Sequence, residues 1–518
     1  MRRSVSLLAA ALVAAAQAPD KGPQVDAIFA GFTRDTPGCA VGVSLNGEVV
    51  LRAGYGMADL ERSVPITPDS VFESGSVAKQ FTAAALILLE QQGKLSLDDP
   101  MRKHLPELPE YGAPLTIRHV IHHTSGLREW RPLALFSGFP EGTRVYNNTD
   151  LLAFASHQKG LNFTPGTNYT YSNTGFNIAA ILVERVLGGK TFQQYTKEAI
   201  FDPLEMRDTR WRDNFRAVIP RRAVAYEQSG GVWVQEMPIE NIIGAGGMLT
   251  TVSDLLRWNG NFTHARVGGP DFVRKQQIPA KLASGRRIRY AAGLNIGSVG
   301  GVREVAHGGA TGGYRTWLGR YPDKGVSVAV LCNSAGANTA VLGRRTAQLW
   351  TGATPSPAAS NPPPGSAHAA ANAGIYRRIR DNTVSKIEWK NGRLMLAGSP
   401  DQLTCDLAQT VRCAASGDDA AVYEKVEPVT PDAAALAAYV GEYQSSEVSG
   451  VIQISVQGGA LRMEVGPAPA ARLEPSFRDA FRLRDGSSIR FWRGDSGTVT
   501  GLSAGSDRVW DLRFTRVR

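Results

Sequence analysis

The chain has 518 residues, which is longer than one ordinary hydrophobic core supports and predicts two or three domains. Apolar residues make up 43% of the sequence and charged residues 20%, which excludes a disordered or fibrous protein. The net charge is +10, but no dense cluster of Lys and Arg interleaves with aromatic residues, so nucleic-acid binding is not indicated.

The first segment, residues 1–18, has the pattern of a secretory signal peptide. Arg2 and Arg3 precede an apolar run over 7–13, and Ala16-Gln17-Ala18 resembles an A-x-A cleavage site. The apolar run is too short for a permanent anchor, and no other uninterrupted apolar stretch reaches spanning length. We therefore expect an exported protein, periplasmic or secreted, with no stable membrane anchor after cleavage.

Residues 19–350 carry strand signals at both ends and apolar helix signals between them. The expected elements are a hairpin over Ala40–Leu51 about Asn46-Gly47, helices at Ser74–Gln92 and Gly175–Leu187, and strands at Tyr314–Tyr321 and Val326–Cys332. This order predicts an α/β (α+β) domain with one sheet, built from distant parts of the chain, and a helical lobe. A site between the sheet and the lobe is the natural expectation.

Residues 351–372 are rich in Pro, Ala, Ser and Asn, which predicts a linker. Beyond it, the stretch that begins Gly374-Ile375-Tyr376 is similar to the one that begins Gly441-Glu442-Tyr443, which indicates two tandem units, 373–430 and 431–518. Short alternating segments such as Val451–Val456 and Arg482–Arg493 favour small antiparallel β-barrels or sandwiches.

The four cysteines fit an exported protein. Cys405 and Cys413 are close enough in sequence to link a hairpin by a disulfide, which export would permit. Cys39 and Cys332 lie in separate strand-like segments and are either paired or free. Four buried thiols are the alternative.

The motif Ser76-Val77-Ala78-Lys79 carries the clearest chemical signal. Positions three apart share one face of a helix, so the hydroxyl of Ser76 and the amine of Lys79 can meet. The motif falls in the first turn of the apolar helix, where the helix dipole favours a developing alkoxide and disfavours a protonated amine. Alone, a Ser-x-x-Lys pattern is common and does not establish a nucleophile.

Two further motifs follow in order. Tyr171-Ser172-Asn173 precedes the second apolar helix; a tyrosine beside a lysine loses its proton more easily, and Asn173 can hold a substrate amide or the lysine. His307-Gly308-Gly309 precedes a strand hairpin. Its glycines allow the backbone to approach a ligand closely, so that the amide of Ala310 would face the cleft.

In this combination the sequence resembles the penicillin-recognising serine hydrolases, the family of serine β-lactamases and D-peptidases, over about residues 25–350. The resemblance implies a β-lactamase/transpeptidase-like sheet with a helical lobe, and an acyl-enzyme mechanism that needs no cofactor or metal. It implies that Ser76 attacks a carbonyl, that Lys79 and Tyr171 relay the proton, and that the amides of Ser76 and Ala310 form the oxyanion hole. Either Lys79 or Tyr171 can be the base at this stage.

The third motif departs from the lactamase form, which usually has Lys-Thr-Gly. His307 is largely neutral near pH 7 and Gly308 has no hydroxyl, so a substrate carboxylate is held less firmly there. This form, the length and the appended β-domains look most like bacterial D-aminopeptidases of the family, with a small molecule or short peptide as substrate. The alternatives are a carboxylesterase or weak class C-type β-lactamase, and a non-turnover penicillin-binding sensor.

In those D-aminopeptidases the last domain is thought to reach the cleft, and Asp479 and Asp485 are candidates for that contact. Two other patterns are interpreted as structural. Gly494-Asp495-Ser496-Gly497 echoes a trypsin-like serine motif but lies in an expected β-turn. His119, His122 and His123 lack a compact set of acidic or thiolate partners, so no metal site is predicted.

Overall fold

The computed structural model describes residues 21–354, 372–390, 393–397, 403–406, 412–415 and 421–518. The expected signal peptide and most of the expected linker lie outside these residues. No helix in the described part is both long and apolar enough to cross a membrane.

A six-stranded antiparallel sheet forms the centre of the N-terminal domain. In spatial order its strands are Asn295–Val299, Val302–Thr311, Tyr314–Tyr321, Val326–Cys332, Cys39–Leu45 and Glu48–Tyr55. The expected hairpin is confirmed: Asn46 and Gly47 have φ angles of 51° and 91°, as a tight two-residue turn requires. The first strand pairs with the last one of the domain, so distant parts of the chain build one sheet, as predicted.

Helices cover both faces of this sheet. Gly22–Phe29 and Thr339–Thr351 pack on one face, where Phe29, Val41 and Trp317 belong to one buried apolar cluster. The helix Val252–His264 packs on the other face, toward the helical lobe.

The helical lobe is assembled around a buried helix, Lys79–Gln91. Residues 79 to 89 of this helix are all buried, as expected of a helix that is apolar on nearly every face. The other lobe helices are Ile117–Ile121, Trp130–Phe136, Asn148–His157, Asn173–Leu187, Phe192–Thr196 with a π-helical turn at Lys197–Phe201, and Gly269–Gln276. The second predicted helix is confirmed, and it ends at Gly188 in the left-handed conformation with φ 62°.

Short elements complete the N-terminal domain. They are the strand pairs Met57–Asp59 with Val64–Pro65 and Tyr226–Ser229 with Val232–Gln235, the three-stranded sheet Phe72–Glu73, Met248–Thr250 and Arg210–Trp211, and the 3-10 turns Gly75–Ala78, Met101–Lys103 and Pro322–Lys324. The three-stranded sheet matters for function because its strand Phe72–Glu73 ends three residues before Ser76, where the first motif begins.

Two β-units follow, as the repeat predicted. The first is a six-stranded half-barrel, in the order Arg393–Leu396, Val384–Lys390, Gly374–Arg378, Val422–Lys425, Arg412–Ala415, Leu403–Asp406. The second follows the helix Ala433–Ala437 and is a closed barrel of Gly441–Gln444, Val451–Gln457, Ala460–Val465, Ala471–Phe477, Ala480–Arg482, Ser488–Arg493, Val499–Gly505 and Leu512–Arg516. Gly374 and Gly441 both have φ 154°, and Tyr376 and Tyr443 each donate to the carbonyl four residues earlier.

One expected segment of the barrel is interrupted. The alternation over Arg482–Arg493 suggested one continuous strand, but a turn separates Ala480–Arg482 from Ser488–Arg493. Gly486 has φ 86° in this turn, and Leu483 N donates to Ser487 O. Residues 484–488 contain no apolar side chain, so the alternation stops there, and Asp485-Gly486 is a turn signal.

The barrel packs directly on the helical lobe. Leu133 and Phe136, on the helix Trp130–Phe136, belong to the same buried cluster as the inward-facing residues of the barrel. Arg128 of the lobe forms an ion pair with Glu447 of the barrel at 2.6 Å, and both side chains are largely buried. The barrel therefore shares part of its core with the lobe helix that also borders the Ser76 pocket.

Cys39 and Cys332 form a disulfide bond between adjacent strands of the central sheet, which settles the choice between paired and free thiols. The backbone register places Cys405 opposite Cys413. The side chains of these two lie outside the described residues, so their bond stays a prediction.

Candidate active site

Ser76 lies in a 3-10 turn, Gly75–Ala78, that leads directly into the buried helix Lys79–Gln91. The chain before it is fixed by the three-stranded sheet, where Ser74 N donates to Met248 O at 2.8 Å. One helical turn separates Ser76 from Lys79, and Lys79 Nζ lies 3.0 Å from Ser76 Oγ. The predicted convergence of the two side chains is therefore present.

Lys79 is completely buried. Its Nζ donates to Asn173 Oδ1 at 2.7 Å and to the Ala245 carbonyl at 2.8 Å. Burial lowers the pKa of Lys79 well below its ordinary value, the charge of Glu129 opposes this, and Arg508 is among the cations that lower the pKa further. A neutral amine has two N–H groups, which these oxygens occupy, and one lone pair left for the Ser76 hydroxyl proton.

Tyr171 stands beside this pair, with Lys79 Nζ 4.8 Å from its ring centroid. Burial raises the pKa of Tyr171, while its hydrogen bond with Ser76 and the Arg508 charge oppose the rise. A neutral phenol beside a neutral amine suits Lys79 as the proton acceptor and Tyr171 as the proton donor. These pKa directions favour Lys79 over Tyr171 as the base, a choice that the sequence left open.

Glu129 fixes the orientation of Asn173, and the sequence analysis missed it. Its carboxylate accepts from Asn173 N at 2.7 Å and from Asn173 Nδ2 at 3.0 Å. A carboxylate only accepts, so the amide nitrogen turns toward Glu129 and the amide oxygen turns toward Lys79. No local pattern in the sequence marks Glu129, because its role depends on its contact with Asn173.

His123 supports the tyrosine from behind. It has a φ of 57°, its ring lies 4.1 Å from the Tyr171 ring, and its Nδ1 accepts from Ser172 N at 3.2 Å. Burial lowers the pKa of His123 far below its ordinary value, so the ring is neutral. Its neighbour His122 hydrogen-bonds the Arg118 carbonyl at 2.9 Å. These contacts are structural, as the sequence analysis interpreted them.

The third motif lies at the end of strand Val302–Thr311, against the turn that carries Ser76. A Cβ at Gly309 would lie 2.0 Å from the Ser74 carbonyl oxygen, and a Cβ at Gly75 would lie 2.5 Å from Ala310 N. Only glycine permits this approach. The backbone at Gly309 and Ala310 therefore lies directly against the turn that carries Ser76.

His307 is buried behind this strand end and carries no charge. Its Nε2 lies 3.0 Å from the Tyr290 hydroxyl, and burial lowers its pKa to about 4. The structure therefore places His307 in the wall of the site, next to the Tyr171 ring at 6.3 Å between centroids.

A narrow pocket of about 50 Å³ opens beside Ser76. It is lined by Gly75, Ser76, Trp130, Arg131, Asn173, Asn177, Glu240, Ile242, Ala245, Gly246, Ala310 and Thr311. Glu240 is its unexpected member: burial raises the pKa of this carboxyl to about 7. Glu240 Oε2 has no hydrogen-bond partner within the described ranges, and Arg131 is 3.8 Å away.

The last domain does reach the site, through Arg508 in the loop between the final two barrel strands. The Arg508 guanidinium carbon lies 5.0 Å from the centroid of the Tyr171 ring. The loop is fixed to the lobe: Glu129 N and Asn162 Nδ2 donate to Arg508 O at 3.3 and 2.9 Å, and Trp510 N donates to Asn162 Oδ1 at 3.0 Å.

The two carboxylates suggested for this contact lie elsewhere. Asp479 accepts from Arg493 at 2.8 Å and from Tyr439 at 2.8 Å within the barrel. Asp485 lies in a barrel turn, where it accepts from Ser487 N at 2.9 Å. Arg508 carried no sequence signal because its role depends on how the barrel docks.

Comparison with known proteins gives two family matches. The β-lactamase family profile matches residues 12–352, and a domain of unknown function, DUF3471, matches residues 425–516. A D-aminopeptidase of Cereibacter sphaeroides is 27% identical over 526 residues, covering 93% of this chain and 96% of its own length. A D-aminopeptidase of Gluconobacter oxydans is 31% identical, and the match covers 58% of this chain and only 56% of that relative's length.

Among solved structures, the octameric penicillin-binding protein homologue of Pyrococcus abyssi superposes with a TM-score of 0.56. It is 22% identical, and the match covers 86% of this chain and 97% of that one. This likeness supports the shared fold.

Proposed function

Because the chain belongs to the β-lactamase family of penicillin-recognising serine hydrolases, we propose that it is an exported D-aminopeptidase that works through an acyl-enzyme on Ser76. Its substrates are small peptides or amides whose N-terminal residue has a free ammonium group and the D configuration. The stereochemical preference is supported by the two relatives that are named D-aminopeptidases.

The chemical steps follow from the positions of three side chains. Ser76 Oγ attacks the substrate carbonyl carbon while its proton passes to the neutral amine of Lys79. The amides of Ser76 and Ala310 stabilise the negative oxygen that forms, a contribution of about 3 kcal/mol for each such donor. The carbon–nitrogen bond then breaks as the leaving nitrogen takes the Tyr171 proton, which Lys79 replaces.

Hydrolysis of the acyl-enzyme reverses the same proton path. Water attacks the Ser76 ester and gives up a proton to the Lys79–Tyr171 pair. The carbon–oxygen bond to Ser76 breaks, and Oγ regains its proton. Each residue ends the cycle in its starting protonation state.

The observation that carries the aminopeptidase assignment is the carboxylate of Glu240 in the pocket that Ser76 lines. A buried carboxylate oxygen with no hydrogen-bond partner in the described part of the chain is a costly group, and a substrate ammonium supplies both a charge and donors. The pocket is narrow, which suits an N-terminal residue as small as D-alanine. A neutral acyl ester supplies neither a charge nor a donor to this oxygen.

Two features support export. The first residues have the pattern of a signal peptide. The Cys39–Cys332 disulfide is of the kind that persists in oxidising compartments.

The proposal is tested with D-alanyl, L-alanyl and N-acetyl-D-alanyl p-nitroanilides, p-nitrophenyl acetate and nitrocefin. We expect the D-alanyl anilide to have the highest kcat/KM, and N-acetylation to lower it by about 10- to 100-fold because the charged hydrogen bond to Glu240 is lost. Glu240→Gln should remove most of the preference for the free amine, whereas Glu198→Gln, an exposed carboxylate that pairs with Lys190, should keep it.

Three results would contradict the assignment. An unchanged rate on the N-acetylated anilide would refute recognition of the free amine. Turnover of p-nitrophenyl acetate with none of the anilides would identify an esterase. Acylation by nitrocefin that is not followed by a second turnover would identify a penicillin-binding sensor.

A further inference from the structure

Arg508 is a cation that the barrel places beside the proton-relay tyrosine. Its guanidinium carbon is 5.0 Å from the Tyr171 ring centroid, and its side chain is 37% exposed, so a ligand can reach it. The closest carboxylate is that of its own neighbour Asp507, at 3.5 Å from Nε and 66% exposed to solvent. In the described part of the chain, Arg508 has no ion pair other than the one with Asp507, and its side chain donates no hydrogen bond.

The other charged groups near the site differ from Arg508 in this respect. Arg131 faces three carboxylates: Glu141 at 2.6 Å, Glu129 at 3.7 Å and Glu240 at 3.8 Å. The buried ring of His307 has a pKa of about 4 and is neutral at pH 7. The amine of Lys79 is driven toward its neutral form by burial. Of these charged groups, Arg508 is therefore the cation whose side chain has donors available to a ligand.

The side of the cleft that Arg508 faces follows from the chemistry of Tyr171. A tyrosine that protonates the leaving nitrogen must lie next to that nitrogen when the carbon–nitrogen bond breaks. The Ser76 pocket with Glu240 holds the other half of the substrate, and neither Tyr171 nor Arg508 lines that pocket. Arg508 therefore faces the leaving group.

We propose that Arg508 binds the α-carboxylate of the leaving amino acid, so that the preferred substrates are free dipeptides rather than simple amides or anilides. In a dipeptide a single carbon separates the leaving nitrogen from the carboxylate. A leaving amino acid whose nitrogen lies beside Tyr171 therefore presents its carboxylate to the Arg508 guanidinium, which lies over the Tyr171 ring. Guanidinium and carboxylate form paired charge-assisted hydrogen bonds. This assignment rests on the acyl-enzyme function proposed above.

The proposal also explains a departure in the third motif. Where lactamase-type members have a lysine that holds a carboxylate, this chain has the neutral His307. Arg508 supplies the positive charge from a different segment of the chain. The barrel loop is held to the lobe by Asn162 and Glu129, so the cation is kept in place.

The test compares D-alanyl-glycine with D-alanyl-glycinamide, which differ only in the terminal carboxylate. We expect Arg508→Ala to lower the ratio of their kcat/KM values by about 10- to 100-fold, the effect of losing a charged hydrogen bond. Arg508→Lys should retain part of the ratio, because it keeps the charge without the planar fork. Arg482→Ala removes an exposed arginine that pairs with Glu474 on the same barrel, and it should leave the ratio unchanged.

A second measurement does not depend on the D-alanyl half. Ser76 is acylated by p-nitrophenyl acetate, and glycine or glycinamide is added as acceptor. The acceptor amine forms a carbon–nitrogen bond as the carbon–Oγ bond breaks, and its proton returns to Ser76 through the Lys79–Tyr171 pair. Arg508→Ala should lower the yield of acetylglycine relative to acetylglycinamide, and comparison between variants cancels the different basicities of the two acceptors.

The outcomes separate the two proposals. If Arg508→Ala lowers kcat/KM equally on D-alanyl-glycine and D-alanyl-glycinamide, and leaves the ratio of acetylglycine to acetylglycinamide unchanged, Arg508 has a structural role. That result would overturn this inference alone. Ester acylation without any turnover of D-alanyl substrates would refute the aminopeptidase, and the acceptor ratio would still decide the role of Arg508. Failure of both donors to acylate Ser76 would overturn both.

Discussion

Glu129 and Asn173 are joined by two hydrogen bonds, one to the backbone amide at 2.7 Å and one to the side-chain amide at 3.0 Å. This pairing directs the Asn173 oxygen to Lys79, and the charge of Glu129 partly opposes the fall in the pKa of Lys79. One buried carboxylate thus orients the partner of the proton acceptor and moderates the fall in its pKa.

The pH dependence of acylation should follow Lys79. Because its pKa is lowered well below the ordinary 10.5 of lysine, kcat/KM should rise with pH and reach its plateau well before pH 10.5. Because the pKa of Tyr171 is raised, no fall in rate from its ionisation is expected below pH 10. Stopped-flow acylation by p-nitrophenyl acetate, which has no amine that titrates, checks both limbs across this range. A rate that still climbs through pH 10 would contradict a neutral Lys79.

Replacing the carboxylate of Glu129 should shift the acidic limb of the pH profile, over which kcat/KM rises as Lys79 loses its proton. Glu129 favours the protonated form of Lys79, so Glu129→Gln should lower the pKa of Lys79 and move the limb to lower pH. The plateau rate should also fall, because a glutamine amide no longer forces one orientation on Asn173. Glu198→Gln, which removes an exposed carboxylate paired with Lys190, is the control and should leave the limb in place. A limb that moves to higher pH in Glu129→Gln would contradict the assigned electrostatics.

The buried ion pair of Glu73 and Arg212 fixes the segment that leads into the nucleophile. Arg212 Nε lies 2.8 Å from Glu73 Oε2, and the side chains are 1% and 0% exposed. Arg212→Met should lower the free energy of unfolding by about 3–5 kcal/mol, because it leaves a buried carboxylate without its principal partner.

Urea unfolding measures this loss. Arg207→Met, which removes an 83% exposed side chain 4.0 Å from Glu205, should change the free energy of unfolding by less than about 0.5 kcal/mol. A loss below about 1 kcal/mol in Arg212→Met would show that Arg222, 3.6 Å from Glu73, carries the pairing instead.

The Cys39–Cys332 disulfide closes a loop with a sequence separation of 293 residues. Such a link restricts the unfolded chain, so the double variant Cys39→Ala, Cys332→Ala should lose about 2–5 kcal/mol of stability and keep its fold. Unfolding with and without reductant measures the difference. Equal midpoints for the oxidised wild type and the double variant would show that the link does not stabilise the domain.

Local signals predicted much of the fold and part of the candidate site. Asn46-Gly47 specifies its hairpin through backbone conformation, and the spacing of Ser76 and Lys79 is a property of one helical turn. The order of the motifs along the chain predicted that Tyr171 and His307 lie in one site. This prediction rests on resemblance to a family and not on a local rule.

The residues that the sequence did not reveal depend on tertiary placement. Glu129, Glu240 and Arg508 lie on three separate segments, and none belongs to a recognisable spacing. The importance of Glu129 and Glu240 comes from burial beside other charges, and that of Arg508 comes from the docking of the barrel on the lobe. The suggested contacts of Asp479 and Asp485 failed for the same reason: sequence placed them in the correct domain but on other turns of its barrel.

The most direct test of the account is the mass of the intact protein trapped during turnover. Acid quenching within the first turnover of a D-alanyl ester or amide should give a species heavier by one D-alanyl group, and peptide mapping should place the group on Ser76. The species should be absent in Ser76→Ala and should form much more slowly in Lys79→Ala. An adduct on any other residue, or full turnover by Ser76→Ala, would contradict the nucleophile assigned here.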